Sequence, residues 1–188
     1  MGKLINIEGK YKNTDAVSKV IKYVTRTREN EKRRNELITY GGIGVGNYAS
    51  PKIMEQRFNI VQNLYGINYR KGRRVLHEVF SITDNEFGKL GYDMNIMDQI
   101  ALEMCKEYFN EGFQVVYGIH WEEKKKLHIH FAVNSVSFVT GKKIDTSINS
   151  NNRREQKFNK IMKRYYKSGK VSFDSTADTQ QDSSRYYK

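Results

Sequence analysis

The spacing of apolar residues along the chain divides it into a series of short elements. Residues 4–7, Leu-Ile-Asn-Ile, read as a first strand. Residues 14–27 read as a helix capped by Asn13 or Thr14, with Ala16, Val17, Val20, Ile21 and Val24 forming one apolar stripe. Residues 29–49 are charged and then glycine-rich (Gly41, Gly42, Gly44, Gly46), which predicts a loop. Ser50 followed by Pro51 marks the start of a second helix that stops near Gly66. A basic loop over 67–74 leads to a strand at 75–82, Val-Leu-His-Glu-Val-Phe-Ser-Ile. A third helix is expected over 94–110, with Ile96, Met97, Ile100, Ala101, Met104 and Tyr108 on one side. Strands at 113–120 and 127–138, separated by Trp-Glu-Glu-Lys-Lys-Lys, predict a hairpin with a longer loop, and Gly141-Lys142-Lys143 a further turn. A basic helix over 152–167 carries Phe158, Ile161, Met162 and Tyr165 inward. Beyond about 171 the chain is polar and aperiodic, so the expected organisation is one domain over 1–170 and a loose tail over 171–188. The fold class implied is α+β.

The hairpin carries the densest chemistry. Leu127, Ile129, Phe131 and Val133 share one strand face, which is the core face, leaving His128, His130, Ala132 and Asn134 on the other. On the preceding strand Phe113, Val115, Tyr117 and Ile119 face the core, with Gln114, Val116, Gly118 and His120 opposite. If His120 pairs with His128, Gly118 pairs with His130, and three imidazoles converge on one face with open space above Gly118. Three nitrogen donors with coordination positions left free suit a catalytic divalent metal rather than a closed structural one.

Composition narrows the partners. The 188 residues contain 33 Lys and Arg against 21 Asp and Glu, a net charge of +12. Clusters at Lys32-Arg33-Arg34, Lys71 with Arg73-Arg74, Lys124-Lys125-Lys126, Lys142-Lys143 and Arg153-Arg154 favour a nucleic-acid partner. A basic membrane-surface protein fits less well, because no basic helix has a wide exposed apolar face. No apolar run approaches a membrane span, the start of the chain lacks the apolar stretch of a signal peptide, and Asn6 breaks a myristoylation pattern. Cys105 is the single cysteine, which excludes an internal disulfide and points to a reduced, cytoplasmic setting.

Tyr23 falls at the border of the first helix's apolar stripe, with Lys19 at i−4 and Arg26 at i+3, where cations could hold a phosphate. A tyrosine that attacks a DNA phosphodiester needs no water, and a metal on neutral histidines can grip the non-bridging oxygens.

With these residues in place a family resemblance emerges. Gly118-Ile119-His120-Trp121-Glu122 followed by Leu127-His128-Ile129-His130-Phe131-Ala132-Val133-Asn134 resembles the third motif of Mob-type relaxases, the mobilisation nucleases of bacterial plasmids and integrative elements. Residues 135–143, Ser-Val-Ser-Phe-Val-Thr-Gly-Lys-Lys, look similar to the stretch that follows it. The early helix from Ala16 to Arg26 resembles the family's nucleophile motif, and His77-Glu78-Val79-Phe80-Ser81 its second motif, in which a serine helps to position DNA. The resemblance covers about residues 4–145 in the family's motif order. It implies the HUH endonuclease architecture, an antiparallel sheet flanked by helices, and strand-specific nicking at an origin of transfer through a 5′-phosphotyrosyl intermediate. It also implies roles: Tyr23 as nucleophile; His120, His128 and His130 as metal ligands; and Glu122, standing where the family has Asp, as a catalytic residue beside His120, with Glu123 as a register alternative. The expected DNA contacts are Lys19, Arg26, Arg73, Arg74, Ser81, Asn134, Lys142 and Lys143. The expected ion is Mn2+ or Mg2+, other transition metals being possible. The expected partners are single-stranded DNA beside a hairpin, relaxosome accessory proteins and a coupling protein, in a bacterial cytoplasm. His77 and Ser81 share a strand face and could approach the site, whereas Glu78 falls on the opposite face and reads as a buried, paired carboxylate.

Two other classes stay open at this level. A rolling-circle replication initiator uses the same metal chemistry, but its tyrosine follows the histidine pair; Tyr165 and Tyr166 would have to serve. A non-catalytic module that binds single-stranded nucleic acid would use the histidines to contact bases.

Overall fold

The computed structural model describes residues 1–7, 9, 11–66, 72–122 and 126–172, the side chains of 126 and 167–172 excepted. Five strands form one antiparallel sheet in the order β1-β3-β5-β4-β2. They are β1 (Lys3–Asn6), β2 (Leu37–Ile43), β3 (Val75–Ile82), β4 (Val115–Glu122) and β5 (Lys126–Asn134). The helices are α1 (Ala16–Val24), α2 (Pro51–Leu64), α3 (Asp84–Gly88), α4 (Met94–Asn110) and α5 (Ile148–Ser172). Among the described residues no helix is long and apolar enough to cross a membrane.

Helices cover both faces. On one, Leu76, Phe80, Tyr117, Ile119, Ile129, Phe131 and Val133 pack against Met104 and Tyr108 of α4 and Phe158, Ile161 and Met162 of α5. On the other, Val75, Val116 and Ala132 meet Val17, Val20, Ile21 and Val24 of α1 and Met54 and Phe58 of α2. The second face has the smaller apolar side chains because it also holds the histidines, and α1 covers it with the stripe that its spacing predicts. The hairpin register is also the expected one: His120 pairs with His128 and Gly118 with His130. β3 lies on the far side of β5, setting Val79 opposite His130 and Ser81 opposite His128.

The departures have local causes. The predicted loop at 29–49 contains β2, whose glycines argue against a strand in isolation. They are required by its close pairing with β4, since a Cβ at Gly42 would lie 2.5 Å from the Val115 carbonyl oxygen. α3 is a single short turn closed by a capping box in which the Thr83 hydroxyl accepts from the Glu86 N–H and the Glu86 carboxylate accepts from the Thr83 N–H. β4 runs through Trp121 and Glu122, so the hairpin loop is shorter than its composition suggests. Residues 67–71, Glu123, Lys124-Lys125 and 173–188 lie outside the described residues, and with them most of the expected tail.

Glu78 points into the α4/α5 layer, fully buried, as strand alternation requires. Its carboxylate accepts from Arg154 Nη2 at 2.9 Å and from the Tyr108 hydroxyl, joining β3 to α5 and α4. Removing one member of a buried ion pair strands the other charge, at a cost of about 3–5 kcal/mol. Arg154→Met is therefore expected to lower the unfolding free energy by about that amount in urea titrations.

Candidate active site

The site is built around the end of α1. Four backbone carbonyls at a helix C-terminus have no partner within the helix. Here Ile21 O accepts from Thr25 N, Lys22 O from Thr27 N and Tyr23 O from Arg26 N. The last two bonds form a Schellman closure, with Arg26 at the left-handed position (φ 50°) that glycine usually takes. The fourth carbonyl, Val24 O, accepts from His120 Nε2 at 2.7 Å. The same oxygen lies over Gly118, where a Cβ would approach it to 2.1 Å. The space above Gly118 is thus filled by the end of α1 rather than open, because the glycine is what lets helix and sheet touch.

This contact sets Tyr23 among the histidines. Its half-buried ring lies edge-on to His77, His130 and His120, with centroids at 5.4, 5.5 and 6.2 Å. Arg26 and Arg28 place their guanidinium carbons 4.8 and 4.7 Å from the Tyr23 ring centroid. Two cavities open on either side of the tyrosine. One of about 470 Å³ is lined by Tyr11, Lys19, Arg28 and His77, and one of about 760 Å³ by Ser81, Asp84, Glu122 and His128. Tyr23 and His130 line both.

Glu122, His128 and His130 each offer a ligand atom, and these atoms lie within 4.8 Å of one another. The group differs from the expected trio by Glu122 in place of His120. Glu122 also does not orient His120: its carboxylate lies 3.7 Å from His128 Nδ1 and 3.9 Å from Arg26 Nη2. The Val24 carbonyl does the orienting instead. Among the described residues, His120 Nδ1 and His130 Nε2 are both buried with no partner, as nitrogens with a lone pair free for a cation would be. His77 Nε2 lies 3.2 Å from His130 Nδ1. Burial holds the His77 imidazole down to about 4 and that of His120 to about 3, helped by the charges of Arg28 and Arg26 respectively. Burial and the neighbouring imidazoles push His130 well below the ordinary imidazole range too, so all three are neutral and have lone pairs to offer.

Several expected DNA contacts have other work. Arg26 is buried, with Nη2 2.8 Å from Glu36. Asn134 is buried as the centre of an amide network: it accepts from Gln62 Nε2 and donates to Gln114 Oε1 and the Phe58 carbonyl, tying α2 to the sheet. Arg74 is buried in the same network, its Nε donating to Gln62 Oε1. Asn134 is removed from solvent because helices cover its face of the sheet, whereas Arg26, just past α1, and Arg74, just before β3, are buried against their own partners. Lys19 is exposed and paired with Asp15. Ser81 lines the larger cavity. Lys143 donates to the Arg73 carbonyl and to Ser135 Oγ, while Lys142 is exposed beside it. Arg73 is half-buried at the end of β3 away from Ser81. Helical spacing could not reveal Arg28, because the chain reverses at Arg26, nor Tyr11, which no periodic element contains.

The nuclease-domain model of the MobA/VirD2-like relaxases matches residues 23–167. The chain belongs to that family. The match begins at Tyr23 and takes in all four histidines. No curated protein matches the chain. Among solved structures it is similar to the conjugative relaxase TrwC in a copper-bound complex with oriT DNA, at 10% identity and a TM-score of 0.49 over 92% of this chain and 71% of that one.

Two predictions follow from this geometry. Gly118→Ala forces the end of α1 off the sheet and is expected to cost about 1–3 kcal/mol in a denaturant melt, as overpacking does. The buried histidines take up protons more readily when unfolded, near 6.5, than when folded. Stability is therefore full above about pH 6.5 and falls as the pH drops toward 4, by up to about 1.4 kcal/mol per pH unit for each such histidine. Urea midpoints between pH 7.5 and 5 measure that slope above the range in which carboxylates titrate.

Proposed function

We propose that this relaxase domain nicks one DNA strand at an origin of transfer, with Tyr23 as the nucleophile. The observation that carries this reading is the placement of Tyr23 against His77, His120 and His130, while Tyr165 and Tyr166 pack against the α4 side of the sheet. The initiator reading needs a C-terminal tyrosine at the histidines. Here Tyr165 donates to Glu103, and the sheet stands between both candidates and the site.

The Tyr23 oxygen attacks the scissile phosphorus. A phosphorus–tyrosine ester forms as the bond to the 3′ oxygen breaks; the phenol gives up its proton and the 3′ oxygen gains one. The new ester conserves the energy of the old one for rejoining. A strand crossing Tyr23 from one cavity to the other presents its phosphate at the divide, and Lys19 and Arg28 line the smaller cavity as candidates for phosphate contacts, with the charge of Arg73 acting on Tyr11 in its wall.

The donors fit a divalent cation: His128, His130 with its unpartnered Nε2, and the Glu122 carboxylate, with His120 Nδ1 unpartnered beside them. Such an ion, when bound, would offset charge on the non-bridging oxygens of the phosphate. A carboxylate in the set shifts the preference toward Mn2+ or Mg2+ from the zinc or copper that imidazoles alone favour.

Incubation with Mn2+ and a labelled single-stranded oligonucleotide carrying the element's nick region should give an SDS-resistant protein–DNA band that Tyr23→Phe abolishes. A band that persists in Tyr23→Phe, with the adduct mapped to the C-terminal helix, would reinstate the initiator reading. Tight DNA binding with no band from the wild type would favour a binding module.

A further inference from the structure

We infer that His77 is a positioning residue that fixes the proton of His130. It accepts the His130 Nδ1 proton at its own Nε2, so that His130 keeps a lone pair on Nε2, and it donates its own Nδ1 proton to the Tyr11 hydroxyl. The bearing of this on metal binding rests on the metal reading given above; the proton assignment does not.

The geometry allows two arrangements. His77 Nε2 and His130 Nδ1 are 3.2 Å apart, both rings are buried, and His77 Nδ1 is 3.5 Å from the Tyr11 oxygen. If His77 were the donor, the His130 proton would sit on Nε2, which is buried with no acceptor among the described residues. A donor stranded in that way is rare in folded proteins, whereas an oxygen or nitrogen with a spare lone pair is tolerated better. If His130 is the donor, both N–H groups on this path have acceptors, and Nε2 is left as an unpartnered lone pair. Only this second arrangement leaves His130 able to ligate.

The backbone holds the relay in place. β3 pairs with β5 so that His77 stands opposite Ala132, whose small side chain leaves room for the ring to lean toward His130. Tyr11 lies on the segment before α1, and its carbonyl accepts from Arg74 N at 2.8 Å, which anchors that segment to the start of β3. The relay therefore links the segment before α1, whose Tyr11 lines the smaller cavity, to His130 at the sheet centre.

The test compares wild type, His77→Phe and His77→Gln. Imidazole 15N–1H correlation spectra of the metal-free proteins report which His130 nitrogen is protonated, and Mn2+ titration calorimetry reports affinity. The wild type should carry the His130 proton on Nδ1. His77→Phe should bind Mn2+ about 10–100-fold more weakly, as loss of an outer hydrogen-bond partner does. His77→Gln, whose side-chain carbonyl can still accept, should keep the Nδ1 tautomer and recover most of the affinity. A wild-type His130 protonated on Nε2, or wild-type Mn2+ affinity in His77→Phe, would overturn the inference. If the wild type takes up no Mn2+, the metal reading has failed, and the His130 tautomer in the metal-free protein upholds or overturns the positioning role on its own.

Discussion

The site depends on one carbonyl that has no partner within its own helix and finds one on the sheet. A helix must leave its last carbonyls to other partners, and α1 delivers Val24 O onto Gly118 and into the reach of His120 Nε2. That bond orients an imidazole, fixes where the helix ends on the sheet and so determines where Tyr23 stands. Any larger residue at position 118 would hold the helix away, and any longer helix would carry Tyr23 past the histidines. The left-handed Arg26 enforces the stop, and its ion pair with Glu36 holds an arginine where glycine would be easier.

The electrostatics are organised around neutrality at the centre and positive charge around it. His77, His120 and His130 are held uncharged by burial, with Arg26 and Arg28 adding to the effect. Neutral imidazoles are what a cation requires of its ligands. The buried Arg26 lies between Glu36 and Glu122, so the one carboxylate of the candidate ligand group also faces a fixed cation. Arg28 and Lys19 carry the positive charge outward to the cavity mouth.

Polar burial on the helix-covered face also explains why motif residues need not touch DNA. Asn134 follows the His-x-His strand, yet its amide is fully used inside the fold, joining Gln62, Gln114 and the Phe58 carbonyl. Buried amides are retained when every group is paired, and this network holds α2 and the start of β3 to the sheet. The strand that carries the histidines is thereby fixed at its far end by hydrogen bonds and at its centre by packing.

The sequence alone determined what alternation and helical spacing can encode. The α1 stripe, the strand faces and the burial of Glu78 follow from periods of 2 and 3.6 residues, and the His120–His128 pairing is the register those faces allow, whereas Tyr23 stood out through the resemblance of its helix to a relaxase motif. These properties are local, or couple segments joined by a single hairpin. Tertiary structure decided what depends on residues distant in the chain. It brought His77 against His130, turned Arg26 and Asn134 inward, recruited Tyr11 and Arg28, and gave His120 to a carbonyl rather than to Glu122. It also made a strand of the glycine-rich segment 37–43, because the pairing partner that tolerates only glycine lies far along the chain in β4. Neither propensity nor period carries information about such a partner; only the packed sheet supplies it.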